Sequence, residues 1–226
     1  MNRWRNFSRS LLQAMFPAWC AGCNQRLMGS EQWLCAACRD GLRFNENHLR
    51  GEGADWTTAA AVFSYTPAVR RLIHQLKYEE ATRVARFLGQ RAVCYMHEVK
   101  PFAPPDYVVP VPLHSTRKRE RGYNQALLLA RELAAGLNSN LSPSLVRRRR
   151  HTQSQTHLDR TERQTNVAGA FERDPAIDLS GRTVLVVDDV FTTGATVSSV
   201  AAVLMMDGKG GYGAAQHVFV LTIARA

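Results

Sequence analysis

The chain has 226 residues, enough for one α/β domain of ordinary size and a small appended unit but not for two full domains. Its 45% apolar and 21% charged residues are typical of a globular protein, and no apolar run is long enough for a membrane-spanning helix. The net charge is +10, and arginine far outnumbers lysine, which favours forked recognition of phosphate oxygens.

Residues 1–16 predict a short amphipathic helix. Arginines precede a short apolar run there, as in a secretory signal, but Gln13 interrupts that run. A cysteine cluster then follows in place of a small-residue cleavage site. We therefore expect a helix rather than a signal peptide, and a cytoplasmic protein.

Residues 17–44 contain four cysteines in two close pairs, Cys20 with Cys23 and Cys35 with Cys38. Each pair forms a tight turn that directs two thiolates at one ion, and this spacing is typical of a zinc ribbon. Four thiolates leave no open coordination position, so the Zn²⁺ would be structural, and this small segment would need it to fold. Disulfide bonding is the alternative, disfavoured because the rest of the chain is typical of a cytosolic domain. We expect the unit to dock on a partner or on the main domain.

Residues 56–226 form the main predicted domain, after a polar linker over residues 45–55. Strands and helices alternate along it. Its strands are apolar without a two-residue period, which indicates burial on both faces and hence a mostly parallel sheet covered by helices. We predict strands over residues 57–65, 106–113, 183–187 and 216–223, and helices over residues 67–78, 80–99, 123–137 and 196–206.

A basic turn follows the strand predicted over residues 106–113. Arginine and lysine dominate residues 117–121, and Gly122 ends the turn. A pyrophosphate group with its Mg²⁺ would need such a neutralising turn at a strand end. We therefore predict that Arg119, Arg121 and Gly122 contact pyrophosphate; an ordinary solvated loop is the alternative.

Residues 147–171 make a long cationic excursion that cannot form a core, because Leu158 is the one large apolar residue between Val146 and Val167. A polar insertion of this length in an α/β domain is typical of a lid over a site. Its histidines, His151 and His157, are expected to be solvated. The residues predicted to act in the lid or to contact DNA are Arg147, Arg148, Arg149, Arg150, Gln155, Arg163 and Asn166.

The stretch VLVVDDVFTTGATV, over residues 184–197, places two carboxylates at the end of an apolar strand and then a turn of threonine and glycine. Ligands of open parallel sheets bind beyond the carboxyl ends of the strands. Asp188 and Asp189 would there accept hydrogen bonds from a ribose diol. The turn leads into a helix, so its free amides and hydroxyls would hold a phosphate. The residues predicted to hold that phosphate are Thr192, Thr193, Gly194, Ala195 and Thr196.

Two other protein classes carry acidic residues after a similar strand. A Walker B strand requires a GxxxxGK[ST] loop, which this sequence lacks. A receiver domain has such a pair near its start, whereas little chain follows Asp189 here. Both alternatives are therefore disfavoured.

The motif VLVVDDVFTTGAT resembles the signature of type I phosphoribosyltransferases, which bind phosphoribosyl pyrophosphate (PRPP) with Mg²⁺. That resemblance implies ribose contact by Asp188 and Asp189 and 5′-phosphate contact by residues 192–196. The assignment agrees with the chemistry of the residues themselves.

The order of motifs along nearly the whole chain resembles the ComF family. The motifs are the four-cysteine unit, LIHQLKY at residues 72–78, RERGYNQ at residues 119–125, a spaced pattern over residues 152–171, and VVDDVFTTGAT. This resemblance implies a type I phosphoribosyltransferase fold with an N-terminal zinc ribbon, PRPP and Mg²⁺ as ligands, and a cytosolic protein that handles incoming single-stranded DNA in natural competence. It does not imply a known transferase reaction, so the catalytic residues stay unassigned.

Two functions stand as hypotheses. In the first, the protein binds PRPP and acts in DNA uptake, with single-stranded DNA and a DNA-uptake helicase or another competence protein as partners. Tyr123 and Phe171 are then the candidates for stacking on bases. In the second, it is an active phosphoribosyltransferase with an unidentified acceptor. Thr192 stands where oxopurine enzymes carry an acidic residue, which argues against purine salvage.

Overall fold

The computed structural model describes residues 18–28, 31, 33–51, 56–79, 81–148, 169–208 and 212–226. The helix predicted over residues 1–16 lies outside them. The helices are α1 (Ala36–Asp40), α2 (Pro67–Tyr78), α3 (Ala81–Glu98), α4 (Ser115–Arg121), α5 (Gln125–Leu137) and α6 (Ala195–Leu204). The strands are β1 (Leu49–Arg50), β2 (Thr58–Ser64), β3 (Tyr107–Pro110), β4 (Asn140–Leu141), β5 (Val146–Arg148), β6 (Phe171–Arg173), β7 (Thr183–Phe191) and β8 (His217–Arg225). Among these helices, none combines the length and apolar character that crossing a membrane would require.

The main sheet has six strands in the order β1-β2-β8-β7-β3-β4. The five strands from β2 to β4 in that order pair in parallel, and only the short edge strand β1 pairs antiparallel, with β2. The predicted mostly parallel sheet is therefore confirmed. Pro110 pairs with Val187, so β3 and β7 end at the same edge of the sheet.

Helices cover both faces of the sheet. Leu185 and Val187 of β7 pack into one core with α2, α3 and α5, whereas Val184 and Val186 pack into a second core with α6 and the small β5-β6 sheet. Burial on both faces explains the unbroken apolar run of β7, as the sequence indicated.

Local signals set the start of the helices that frame the site. Thr66 caps α2 by accepting a hydrogen bond from the amide of Val69 (3.3 Å), and Pro67 occupies the first turn. Asn124 caps α5 by accepting from the amide of Ala126 (3.0 Å). Each helix thus begins within a residue or two of its predicted position.

The cysteine unit, defined here as residues 18–28, 31 and 33–44, docks on the main domain. Its Leu34 and Leu42 are buried in the same core as α2 and α3. The Trp33 ring lies edge-on to Phe87 of α3, with centroids 4.6 Å apart. On α2, Gln75 Nε2 donates to the carbonyl of Ala21 (3.3 Å). Of the two docking modes expected from the sequence, contact with the chain's own main domain is the one observed.

Several elements differ from their predicted bounds. The linker predicted over residues 45–55 contains β1, whose Leu49 pairs with Ala59 of β2. Strand β3 ends at Pro110, and the basic turn begins with the short helix α4. Strand β7 runs on to Phe191, because β8 continues beside it and pairs Phe191 with Arg225. The carboxylates at positions 188 and 189 therefore lie within β7 rather than at its end.

Candidate functional site

Asp188 and Asp189 lie near the carboxyl end of β7, where Asp188 is half-buried and Asp189 is buried. Asp188 Oδ1 accepts a hydrogen bond from the amide of Asp189 (2.8 Å). Burial, and then the negative charge of Asp189, raise the pKa of the Asp188 carboxyl above its usual range, while Lys77 opposes the rise. The charges of the two carboxyls therefore act on each other at this point of the sheet.

Lys77 provides the counter-charge of this pair and was not predicted. It lies in the last turn of α2, where Nζ forms an ion pair with Oδ2 of Asp189. The buried positions of α2 include Leu72, Ile73 and Leu76, and Lys77 follows Ile73 by four residues. A helix places such residues on one face. A lysine on the buried face of the helix LIHQLKY was therefore the sequence signal that could have predicted a buried counter-charge.

The threonine turn after β7 has the backbone of an anion site. Gly194 precedes α6 in the left-handed conformation (φ 78°), and the first helical bond runs from the amide of Ser198 to its carbonyl (2.8 Å). The amides before Ser198 have no intrahelical acceptor, so they are free for a ligand unless a side chain takes them. Thr193 Oγ1 takes one, that of Ala195, at a long 3.4 Å. Both Thr192 and Thr193 are exposed.

Gly194 is required at its position for two reasons. Its positive φ disfavours any residue with a side chain, and a Cβ atom would lie 2.8 Å from Cζ of Phe191. Phe191 in turn packs edge-on against Trp56, with centroids 6.1 Å apart, and Trp56 Nε1 donates to Ser198 Oγ (3.1 Å). The turn therefore packs on two aromatic side chains, and one of them, Trp56, comes from a distant part of the chain.

The basic turn forms α4 and the residues after it. Gly122 ends α4 in the left-handed conformation (φ 75°). Arg121 is held by hydrogen bonds from Nη1 to Gln125 Oε1 and from Nη2 to Tyr78 Oη, both 3.1 Å. Arg119 is exposed. Because β3 and β7 end at the same edge of the sheet, the basic turn, which follows β3, lies beside the strand that carries the carboxylate pair.

Arg148, from the start of the predicted lid, joins the basic turn. Its guanidinium lies 5.3 Å from the centroid of Phe171, and burial and then the charge of Arg117 lower its pKa. Burial, and then the charges of Arg148, Arg117 and Arg119, lower the pKa of His114, which caps α4. These three arginines thus all lie within electrostatic reach of His114, an arrangement that suits an anionic ligand.

Of the other predicted lid residues, one lies in the described part of the chain and the rest lie outside it. Arg147 is exposed and lies 3.7 Å from Asp174 in an ion pair. Arg149, Arg150, Gln155, Arg163 and Asn166 lie outside the described residues, as do His151 and His157. The β5-β6 pairing, with Arg148 opposite Phe171, brings the two ends of the excursion together. The sequence pattern did not predict this pairing, because its strands have three residues each and no apolar alternation.

Neither of the two predicted stacking residues is fully exposed. Phe171 is buried beneath Arg148. Tyr123 is half-buried, and its hydroxyl donates to the carbonyl of Leu76 (2.8 Å). Exposed aromatic rings near the site are found instead on and beside α2, at Tyr65 and Tyr78.

The four cysteines form a cluster suited to a metal ion. Their sulfur atoms all lie within 4.8 Å of one another, none is in a disulfide, and Cys23 Sγ is 3.7 Å from Cys35 Sγ. A tetrahedron with bonds of about 2.3 Å has edges of about 3.8 Å. Burial raises the pKa of the Cys20 thiol, but hydrogen bonds from the amides of Cys35, Cys23 and Gly22 lower it by more. The net result is a pKa of about 7. Those amides favour the thiolate that binds metals.

Comparison with known proteins gives a consistent set of matches. Residues 124–209 match the family described as phosphoribosyl transferase domain. The chain is 32% identical over 197 residues to the DNA utilization protein YhgH of Escherichia coli, covering 84% of this chain and 85% of that protein. It is 28% identical over 195 residues to competence protein F of Haemophilus influenzae (82% and 83% covered). It is 26% identical over 190 residues to competence protein ComFC of Bacillus subtilis (81% and 72% covered).

Proposed function

The chain belongs to the ComF family, with a phosphoribosyltransferase fold and a four-cysteine cluster, and on this premise we propose that it binds PRPP and acts in DNA uptake and utilisation. The observation that carries the proposal is the shared sheet edge, where a coupled carboxylate pair, a glycine-dependent turn and a cluster of arginines meet. DNA involvement is inferred from the names of the relatives.

The residues at this edge fit the three parts of PRPP. The ribose hydroxyls would donate to Asp188 and Asp189, and the 5′-phosphate would accept from residues 192–196. Arg119, Arg121 and Gly122 would face the pyrophosphate, together with the neighbouring Arg148. Mg²⁺ accompanies phosphate groups and prefers carboxylate and water oxygens, so it would neutralise pyrophosphate beside the half-buried carboxyl of Asp188.

Lys77 reduces the electrostatic repulsion that this arrangement would otherwise cause. Two carboxylates close to a phosphorylated sugar would repel it and each other. The ion pair with Asp189 neutralises one of them. Hydroxyl donors and a cation can then compensate the one remaining negative charge, so the site does not hold two uncompensated carboxylates.

The cysteine cluster would hold Zn²⁺ in a structural role. Four thiolates complete a tetrahedral shell and leave no position for substrate. Gly22 allows the close packing of the cluster, because a Cβ atom there would lie 2.8 Å from Cys38 Sγ. We place the cysteine unit within residues 17–44 and the PRPP-binding domain within residues 56–226.

Calorimetric titration with PRPP and Mg²⁺ tests the proposed function. Asp188→Asn combined with Asp189→Asn should weaken PRPP binding by at least about a hundredfold, since both hydrogen-bond acceptors lose their negative charge. The matched control combines Asp40→Asn with Glu98→Gln, two exposed acidic residues outside the sheet edge. Binding that survives in the first variant, or that falls equally in both, would contradict the assignment. Pyrophosphate release on adding acceptors would indicate an active transferase.

A further inference from the structure

We propose that a groove between the cysteine unit and α2 binds a segment of single-stranded DNA. The inference rests on the proposed role in DNA utilisation, but it moves the DNA contact away from the lid. The groove has a volume of about 730 Å³. Among the residues that line it are Asn24 from the cysteine unit, Tyr65 from the end of β2, and Arg70, Arg71 and His74 from α2.

The groove is cationic. Arg70 and Arg71 are exposed, and no carboxylate within the described ranges lies at ion-pair distance from either guanidinium. Glu79, the acidic residue in the lining, is 3.3 Å from His74 Nδ1. Two adjacent arginines that form no ion pair with the described part of the chain suit phosphodiester oxygens, which accept forked hydrogen bonds.

Exposed aromatic rings accompany these arginines. Tyr65 is 41% exposed at the groove, and Tyr78 is 60% exposed at the other end of α2. The Tyr78 ring lies 4.9 Å from the His74 ring, measured between centroids, and its centroid is 4.9 Å from the guanidinium of Arg121. Rings and guanidinium planes of this kind stack on unpaired bases, which a duplex does not present. This composition therefore favours single-stranded DNA.

The exposed side of α2 connects the groove to the PRPP edge. From Pro67 to Tyr78 the helix is about 16 Å long. Its far end contacts Arg121, which we place at the pyrophosphate. A strand bound in the groove and following α2 would thus end beside the sugar-phosphate site, without needing any residue of the lid.

Fluorescence anisotropy with a labelled oligothymidine over a salt series tests the groove on the full-length, metal-loaded protein. Each phosphate contact to single-stranded DNA contributes about 0.7 to the slope of log affinity against log salt. Arg70→Gln with Arg71→Gln should therefore reduce that slope by about 1.4. Tyr65→Ala should weaken binding at least about fivefold through lost stacking.

The controls separate this inference from the proposed function. Arg86→Gln with Arg131→Gln removes the same charge from exposed positions on α3 and α5 outside the groove, and should leave most of the slope unchanged. PRPP titration should be unaffected by the groove variants. An unchanged DNA slope in the Arg70 and Arg71 variant, or an equal reduction in both double variants, would overturn the groove as the DNA site. Loss from the arginine variant without loss from Tyr65→Ala would also overturn it, because a site that recognises charge alone does not distinguish single-stranded DNA from other polyanions. Each of these outcomes leaves PRPP binding to be judged by its own titration.

Discussion

The cysteine unit and the threonine turn both present ligand groups from a short stretch of sequence, but they obtain their rigidity differently. The cysteine unit contributes few large apolar residues to the core, and its four sulfur atoms converge on one point. The turn rests on Phe191 and Trp56 and follows a strand that is paired on both sides. A ligand should therefore hold the first region together, whereas the second should keep its form when the ligand is absent.

The largest expected effect would come from removing a sulfur ligand. Cys35→Ser should abolish metal retention and unfold the cysteine unit, because structural metal binding supplies folding free energy of about 10 kcal/mol or more. The metal content after dialysis and limited proteolysis of residues 18–44 would show this. Cys94→Ser is the control, since Cys94 lies on α3 outside the cluster. Equal metal content in the two variants would contradict the assignment of the cluster.

Lys77→Met should have the next largest effect, because it leaves Asp189 buried without its counter-charge. We expect a loss of about 1–3 kcal/mol, below the value for a fully buried pair because the Lys77 side chain is 24% exposed. The pKa of Asp188 is raised in the folded protein, so between its unfolded and folded values the folded state binds more protons and stability falls as pH rises. Removing Lys77 removes a charge that lowers this pKa, so the fall should become larger.

Urea denaturation at several pH values would measure that dependence. Adding Asp188→Asn to the Lys77→Met variant is the control, because the added change removes the part of the pH dependence that the Asp188 carboxyl contributes. An identical pH profile for wild type and Lys77→Met would show that the ion pair does not tune the carboxylate pair.

A smaller effect is expected from Gly194→Ala, which tests how rigid the turn is. Gly194 and Gly181 both have positive φ, 78° and 67°, but a Cβ atom meets Phe191 only at Gly194. Gly181→Ala should cost about 1 kcal/mol for its backbone alone, and Gly194→Ala about 1 kcal/mol more. Chemical denaturation and PRPP titration would compare them. If PRPP affinity falls equally in both variants, the close packing at Phe191 does not shape the anion site.

The features that could be predicted from the sequence are those determined by residues close together in the chain. Asp188, Asp189 and the turn at residues 192–196 belong to one stretch, and a parallel sheet places the end of such a strand at the ligand edge. The spacing of Cys20, Cys23, Cys35 and Cys38 likewise specifies the cluster.

The features that were missed depend on pairings between distant residues. Lys77 meets Asp189, Trp56 supports the turn, and Arg148 reaches the basic turn through β5. Each of these contacts depends on how the helices and the small sheet pack, which local propensity does not encode. The length of β7 was underestimated for the same reason, since its continuation to Phe191 is set by β8.

The hydrogen bond from Gln75 to Ala21 has a consequence for the whole molecule. Gln75 and Lys77 are two residues apart on α2, one contacting the cysteine unit and the other Asp189. A single helical turn therefore contacts both the cysteine unit and the carboxylate pair. If ligands at the cysteine cluster and at the carboxylate pair favoured different positions of this turn, each would change the affinity for the other, and by the same factor.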